Sequence, residues 1–265
     1  MPHYVPLQPS VHRHAGFQRA EDLYHAAHER FAPILVDELA QVLPYMPLCF
    51  LHLGDQGFQL VAVQGLEANR NLFVHPTTHK WLVSYTPACY RGYPFGLRKE
   101  EHTGKAVLCF DTSSGLMHEP IGPNDIPFFD EQGQPGQPLK DTLTFLKAVE
   151  EGQGRTQAAV DALAGHGLIE TWPVTLQRDD EKKSLPGLYR IAAKALQELP
   201  AEALAELNAL HALQLAHAQL FSQSQMKHLA KLQRLHAQFG DTPASDNLDE
   251  LFGEGDDEFR FDFDS

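Results

Sequence analysis

The sequence lacks most of the features that reveal a reaction or a compartment. It has only three cysteines, Cys49, Cys89 and Cys109, widely spaced and with no CxxC pair. Such a set argues against a disulfide framework and against a zinc knuckle. Cys49 and Cys109 sit inside the apolar runs Leu48-Cys49-Phe50-Leu51 and Val107-Leu108-Cys109-Phe110, a setting for buried small hydrophobes rather than reactive thiolates. Bases are scarce: 21 Lys and Arg face 35 Asp and Glu, for a net charge of −14. That balance argues against a general phosphate-backbone binder, so no nucleic-acid partner is expected. No apolar run approaches the ~20 residues of a bilayer helix, so no membrane span is expected. The opening Met1-Pro2-His3-Tyr4-Val5-Pro6-Leu7 has neither the basic nor the apolar part of a secretory leader. These absences lead to the expectation of a cytoplasmic protein in a reducing compartment.

Catalytic patterns are missing as well. There is no G-x-S-x-G elbow, no Walker A loop and no G-x-G-x-x-G after a strand. Fifteen histidines include the pairs His12/His14, His25/His28 and His75/His79, but Pro76 disfavours a helix that would align His75 with His79, and no Glu follows His75. We expect surface histidines, no metal and no cofactor, and a non-enzymatic role before an enzymatic one.

The chain divides by composition. Residues 1–20 read as an extended, Pro- and His-containing arm. Helical spacing is expected over 21–30 and over 34–43, the second stopped by Pro44 and Pro47. Residues 47–63 read as a β-hairpin turning at Gly54-Asp55-Gln56-Gly57. Further strands are expected at Lys105–Asp111, Leu168–Gln177 and Leu188–Ile191. Between them Leu139, Leu143, Leu146, Val149, Val160 and Leu163 keep helical spacing, with a break expected at Gly152 and Gly154. The charged stretch 178–184 reads as a solvent loop. A Leu stripe from Leu204 to Phe239 reads as two helices with a break near 208–212. The fold class is therefore α+β: an antiparallel sheet with flanking helices, a C-terminal helical hairpin and a disordered acidic tail. One α+β domain over 21–240 is expected.

Residues 241–265 hold ten acids and a single base, Arg260, a net of −9, which leaves −5 for residues 1–240. Within this tail Phe259, Phe261 and Phe263 alternate with Arg260, Asp262 and Asp264. In an extended strand all three rings share one face, which suits addition to an open sheet edge of a protein partner. Leu248, Leu251 and Phe252 form a second apolar cluster that a partner could order. A solubilising tail with incidental phenylalanines is the alternative.

The densest unusual segment is Trp81-Leu82-Val83-Ser84-Tyr85-Thr86-Pro87-Ala88-Cys89-Tyr90-Arg91-Gly92-Tyr93-Pro94-Phe95. Trp81, Tyr85, Arg91, Tyr93 and Phe95 could wall a pocket in which the guanidinium meets a carboxylate or phosphate. The alternative is that the aromatics anchor a helix-and-turn against the sheet while Arg91 pairs with a core acid such as Asp111. The segment resembles the W-x3-Y-x-P-A-x2-R-x-Y-P-F signature of the bacterial SapC family. Tyr4-Val5-Pro6-Leu7, Phe31-Ala32, Gly65-Leu66 with Asn71-Leu72-Phe73, Gly187–Ile191, and Leu213–Leu220 with Ser222 and Gln225 add to the likeness in order, over about residues 1–235. Gly92 departs from it, since members often carry a basic residue there. The resemblance implies a surface-layer-associated name without a defined reaction. It also implies a neighbourhood of protein-modifying oxygenases, flavin halogenases and uptake receptors. A peptide-transport permease of the same name does not fit a chain without spanning segments. The reading is an adaptor that recruits a protein partner through its tail. The alternatives are a small-ligand binder or enzyme built on Trp81–Phe95, and a carrier or substrate of a modifying oxygenase or halogenase.

Overall fold

The structure, a computed structural model, describes residues 2–100, 104–178, 181–238 and 261–262. In chain order the elements begin with β1 (Tyr4–Pro6), α1 (Pro9–His12), β2 (Gly16–Phe17), β3 (Phe31–Pro33), α2 (Leu39–Val42), β4 (Leu48–His52) and β5 (Phe58–Val63). Next come α3 (Ala88–Arg91), β6 (Phe95–Lys99), β7 (Ala106–Asp111), β8 (Met117–His118), β9 (Ile126–Pro127) and the long α4 (Gln137–Gly165). Then follow β10 (Ile169–Thr171), β11 (Val174–Arg178), β12 (Glu181–Leu185), β13 (Tyr189–Ile191), α5 (Ala193–Gln197), α6 (Ala201–Ala209), α7 (Ala212–Ser222), α8 (Met226–Gln238) and β14 (Phe261–Asp262). The fold is α+β, and the strand pairs are antiparallel. The chain divides into two compact units, Met1–Glu21 with Ala88–Glu151, and Asp22–Pro87 with Gly152–Ser265.

The first unit holds two three-stranded sheets, ordered β1-β7-β6 and β8-β2-β9. Residues 4–17, within the stretch read as an arm, supply β1, α1 and β2. Its core is aromatic. Phe17 stacks on Phe128 at 5.3 Å between ring centroids and meets Phe95 edge-on at 4.9 Å, and Phe110 packs edge-on against Phe95 at 5.0 Å. Offset and edge contacts of this kind add to the burial of the rings themselves.

The second unit holds a five-stranded sheet, β10-β13-β4-β5-β3, and a second sheet, β12-β11-β14. The hairpin expected over 47–63 is present, with Leu48 opposite Ala62 and His52 opposite Phe58. Gly57 sits at φ 76°, which a residue without Cβ reaches at no steric cost. The β13–β4 pairing is short, a single pair of partners, Tyr189 and Phe50. A buried amide from α7 completes it: Gln219 Oε1 accepts from the Ile191 N–H at 3.0 Å and its Nε2 donates to Leu48 O at 3.1 Å. Ser222 Oγ, one turn on, accepts from the Leu48 N–H at 2.9 Å.

Four local expectations change. Helical spacing predicts a break at Gly152 and Gly154, yet α4 is continuous over 29 residues. Each glycine costs about 1 kcal/mol relative to Ala in a helix interior, but Gly152 serves packing. A Cβ there would lie 3.1 Å from Leu35 Cδ1. Thr156 Oγ1, in the next turn, donates to Gly152 O at 2.8 Å and accepts from the Val36 N–H at 2.9 Å. Over 21–30 only a 3₁₀ turn forms, Tyr24–Ala26. Asn71 takes the carbonyls a longer helix would use, its Nδ2 donating to Ala26 O and its backbone N–H to Ala27 O. The charged stretch 178–184, apart from residues 179–180, belongs to β11 and β12, where Gln177 is the register partner of Lys182. The C-terminal Leu stripe breaks at Leu210–His211 as expected, with His211 at φ 58°, and again at Gln223–Gln225, giving three helices. The stretch expected to be a disordered tail lies outside the described residues except for Phe261–Asp262.

Candidate functional site

The Trp81–Phe95 segment divides between the units. In the second unit Trp81 stacks on buried Phe73 with centroids 5.7 Å apart, and its Nε1–H donates to Tyr85 O at 2.8 Å. The Tyr85 hydroxyl donates to buried Glu38 at 2.6 Å, whose other carboxylate oxygen accepts from the Leu35 N–H at 2.8 Å. These two aromatics hold a turn.

Arg91, Tyr93 and Phe95 belong to the first unit and line a cleft of about 380 Å³. The turn that carries them is closed by Tyr93 N–H to Tyr90 O at 3.2 Å and Phe95 N–H to Gly92 O at 2.8 Å. The Tyr93–Pro94 peptide is cis. Gly92 lies against α4, where a Cβ would come 2.6 Å from Leu146 Cδ2. The opposite wall is one face of α4, Pro138, Asp141, Thr142 and Phe145, the i, i+3, i+4, i+7 set of a single helical stripe. Phe17 and Arg19, on and just after β2, complete the rim. The Arg91 guanidinium stands 5.1 Å over the Phe145 ring, a cation–π contact. Asp111, the acid suggested as a partner for Arg91, accepts from the His3 N–H at 2.8 Å and the Ser113 hydroxyl at 2.6 Å. Sequence reasoning missed Arg19, Asp141 and Phe145. The helical register of 138–145 was the available signal for the last two, but nothing in one sequence ties that stripe to Arg91.

The tail contributes one described feature. Phe261 and Asp262 form β14 beside β11, with Leu176 opposite Phe261 and Thr175 opposite Asp262. Leu248, Leu251, Phe252, Phe259 and Phe263 lie outside the described residues.

Among the described residues no group of three His, Cys, Asp or Glu could hold a metal ion. No described helix is long and apolar enough to cross a membrane. Burial pushes the Cys49 thiol up, against service as a thiolate nucleophile. A family model described as SapC matches residues 7–229. No curated protein and no solved structure matches.

Proposed function

The chain belongs to the SapC family, and on that premise we propose that it is a non-enzymatic adaptor of the cytoplasm. In this reading it recruits a protein partner by adding its C-terminal segment as a strand to the partner's sheet edge. The observation that carries the reading is the pairing of Phe261–Asp262 with Thr175–Leu176. This peptide is compatible with strand addition at an edge, the mode its alternating pattern suits. In such addition backbone hydrogen bonds supply affinity and alternate side chains supply specificity. Phe259, Phe261 and Phe263 share one face of the added strand, with Asp262 and Asp264 on the other. The surrounding charge of −9 over 241–265 favours a partner edge flanked by bases and speeds encounter at low salt. Residues 239–260 separate the end of α8 from β14 and can span at most about 75 Å when extended.

The test is chemical crosslinking and affinity capture with the tagged full chain, a variant stopped before Asp241, and a Phe259→Ser/Phe261→Ser/Phe263→Ser triple variant. Burying one Phe stabilises by roughly 1.5–3 kcal/mol, so loss of three rings should abolish capture while leaving the far-UV spectrum unchanged. A partner retained by both variants refutes tail docking. A covalent mass change on residues 241–265 in the same spectra would favour the carrier alternative.

A further inference from the structure

We propose that the solvent face shared by α7 and α8 docks the acidic, apolar segment 246–254 of the same chain. The inference concerns a contact within the second unit and does not depend on partner recruitment. The face lies where the two helices follow one another. Ser222, Gln223 and Met226 keep right-handed helical dihedrals, so the helical path continues through the 3₁₀ turn Gln223–Gln225 from α7 into α8. Burial fixes the inward side: Leu215 and Ser222 of α7, and Met226, Leu229 and Leu232 of α8, are buried. His217, Phe221, Ser224, Lys227 and Lys231 are exposed. They recur every three or four residues, the spacing of one helical stripe. Phe221 is 70% exposed, with the His217 ring 6.2 Å away.

Charge and reach select the occupant. A single exposed phenylalanine is ordinary on a protein surface, but this one stands at the head of a cationic helix that has no acid of its own. Residues 207–240 contain no Asp or Glu and carry Lys227, Lys231 and Arg234. Among the described residues neither lysine forms an ion pair. Glu67 approaches α8 at Gln233, from which it accepts at 3.2 Å, and Arg70 pairs with it. After α8 the chain reverses sign. Residues 246–254 bring Asp246, Asp249, Glu250 and Glu254 without a base, and place Leu248, Leu251 and Phe252 at i, i+3 and i+4. A helical turn formed on docking gathers those three on one side, the anchor spacing of helix recognition. They then meet Phe221 while the carboxylates flank Lys227 and Lys231. The tether is long enough. The 13 residues of α8 make about 20 Å, and residues 239–247 span up to about 30 Å, so Leu248 can return along α8 to Phe221. Tethering at this length gives an effective concentration on the order of millimolar, so contacts too weak to hold a separate acidic peptide suffice for this one.

The experiment is zero-length carbodiimide crosslinking of the full-length protein at low ionic strength, in an equal mixture of unlabelled and nitrogen-15-labelled chains, read by mass spectrometry. The reagent joins a lysine only to a carboxylate in contact with it. The expected result is amide links within one chain from Lys227 or Lys231 to Asp249, Glu250 or Glu254. They should be at least about fivefold more frequent than links from the same acids to the exposed Lys140, Lys147 and Lys194. High salt, about 0.5 M, should reduce them, because screening then acts within about 4 Å. Phe221→Ser should reduce them at least about fivefold, and so should Leu248→Ser/Leu251→Ser/Phe252→Ser, which keeps every acid and so separates docking from charge attraction alone. Phe221 is exposed and the other three positions follow α8 in the chain, so neither variant removes a buried contact of the helices. Three results would each overturn the proposal: links absent or spread evenly over the lysines, links undiminished in the apolar triple variant, or links found only between labelled and unlabelled chains.

Discussion

Gln219 carries a stability prediction whose size can be worked out from its contacts. Its side chain is fully buried and joins β13 to β4 where their own ladder is a single residue pair. Gln219→Leu keeps volume and burial but leaves the Ile191 N–H and the Leu48 C=O without their side-chain partner, both on residues no more than 1% exposed. Each orphaned buried group costs roughly 1–3 kcal/mol, so the pair costs about 2–6 kcal/mol before the small gain from the more apolar side chain. Against a total stability of about 5–15 kcal/mol that loss is large. Gln219→Glu separates the two contacts. A carboxylate still accepts from Ile191 but turns an oxygen toward Leu48 O, so burial and repulsion raise its folded pKa above the unfolded value of about 4.3. A raised carboxyl pKa means the folded state holds the proton more tightly. Stability of Gln219→Glu is therefore best below about pH 4.3 and is lost as pH rises through the folded value, opposite to the usual surface Glu. Urea unfolding followed by tryptophan fluorescence reads the effect, since Trp81 and Trp172 both lie in the second unit. A Gln219→Leu protein within about 0.5 kcal/mol of the parent would refute the claim that this amide completes the sheet.

Other outcomes follow from single contacts. Burial, assisted by Arg70, pushes His236 down to about 4. With a depressed folded pKa its stabilising contribution is full above the unfolded value of about 6.5 and is lost as pH falls toward 4, on the order of 3 kcal/mol in all. His236→Gln, which can keep the bond to Leu72 O, should flatten urea midpoints between pH 7 and 4.5. Gly154 has open space around its Cβ position inside α4, so Gly154→Ala should stabilise by about 0.5–1 kcal/mol. Gly152→Val should destabilise, because Leu35 stands 3.1 Å from the first added carbon; calorimetric melting of the pair checks the contrast. The Gly122 N–H, with help from Gln18 and His118, holds the Asp125 carboxyl below the usual carboxylate range. Its contribution is present above an unfolded value of about 3.9 and disappears as pH falls through the folded pKa, so Asp125→Asn should reduce acid sensitivity in melts below pH 4.

Much of the fold could be read in the sequence where local chemistry and packing agree. The hairpin of Leu48–Val63 has apolar strands and positive-φ glycines in the turn, and both signals favour the same pairing. The break at His211 was equally readable. Gly152 misled because its reason is tertiary, the approach of Leu35, which no helical spacing shows. The 21–30 stretch misled for the same kind of reason, since Asn71, 45 residues from Ala26, captures its carbonyl. At the cleft, Arg91, Tyr93 and Phe95 stood out by composition, while Arg19 and Asp141 are ordinary surface residues until the chain brings them together. Trp81 and Tyr85 share the same dense segment, but they serve a turn in the other unit.

Backbone hydrogen exchange over Val174–Arg178 tests most directly the observation on which the account rests, the pairing of Phe261–Asp262 as a strand with Thr175–Leu176. In the full chain, Phe261→Pro removes an N–H and cannot join the ladder. The account predicts faster exchange at Thr175 and Leu176 in that variant than in the parent, with β4 and β5 unchanged. Identical exchange at Thr175 and Leu176 in the two proteins would contradict it.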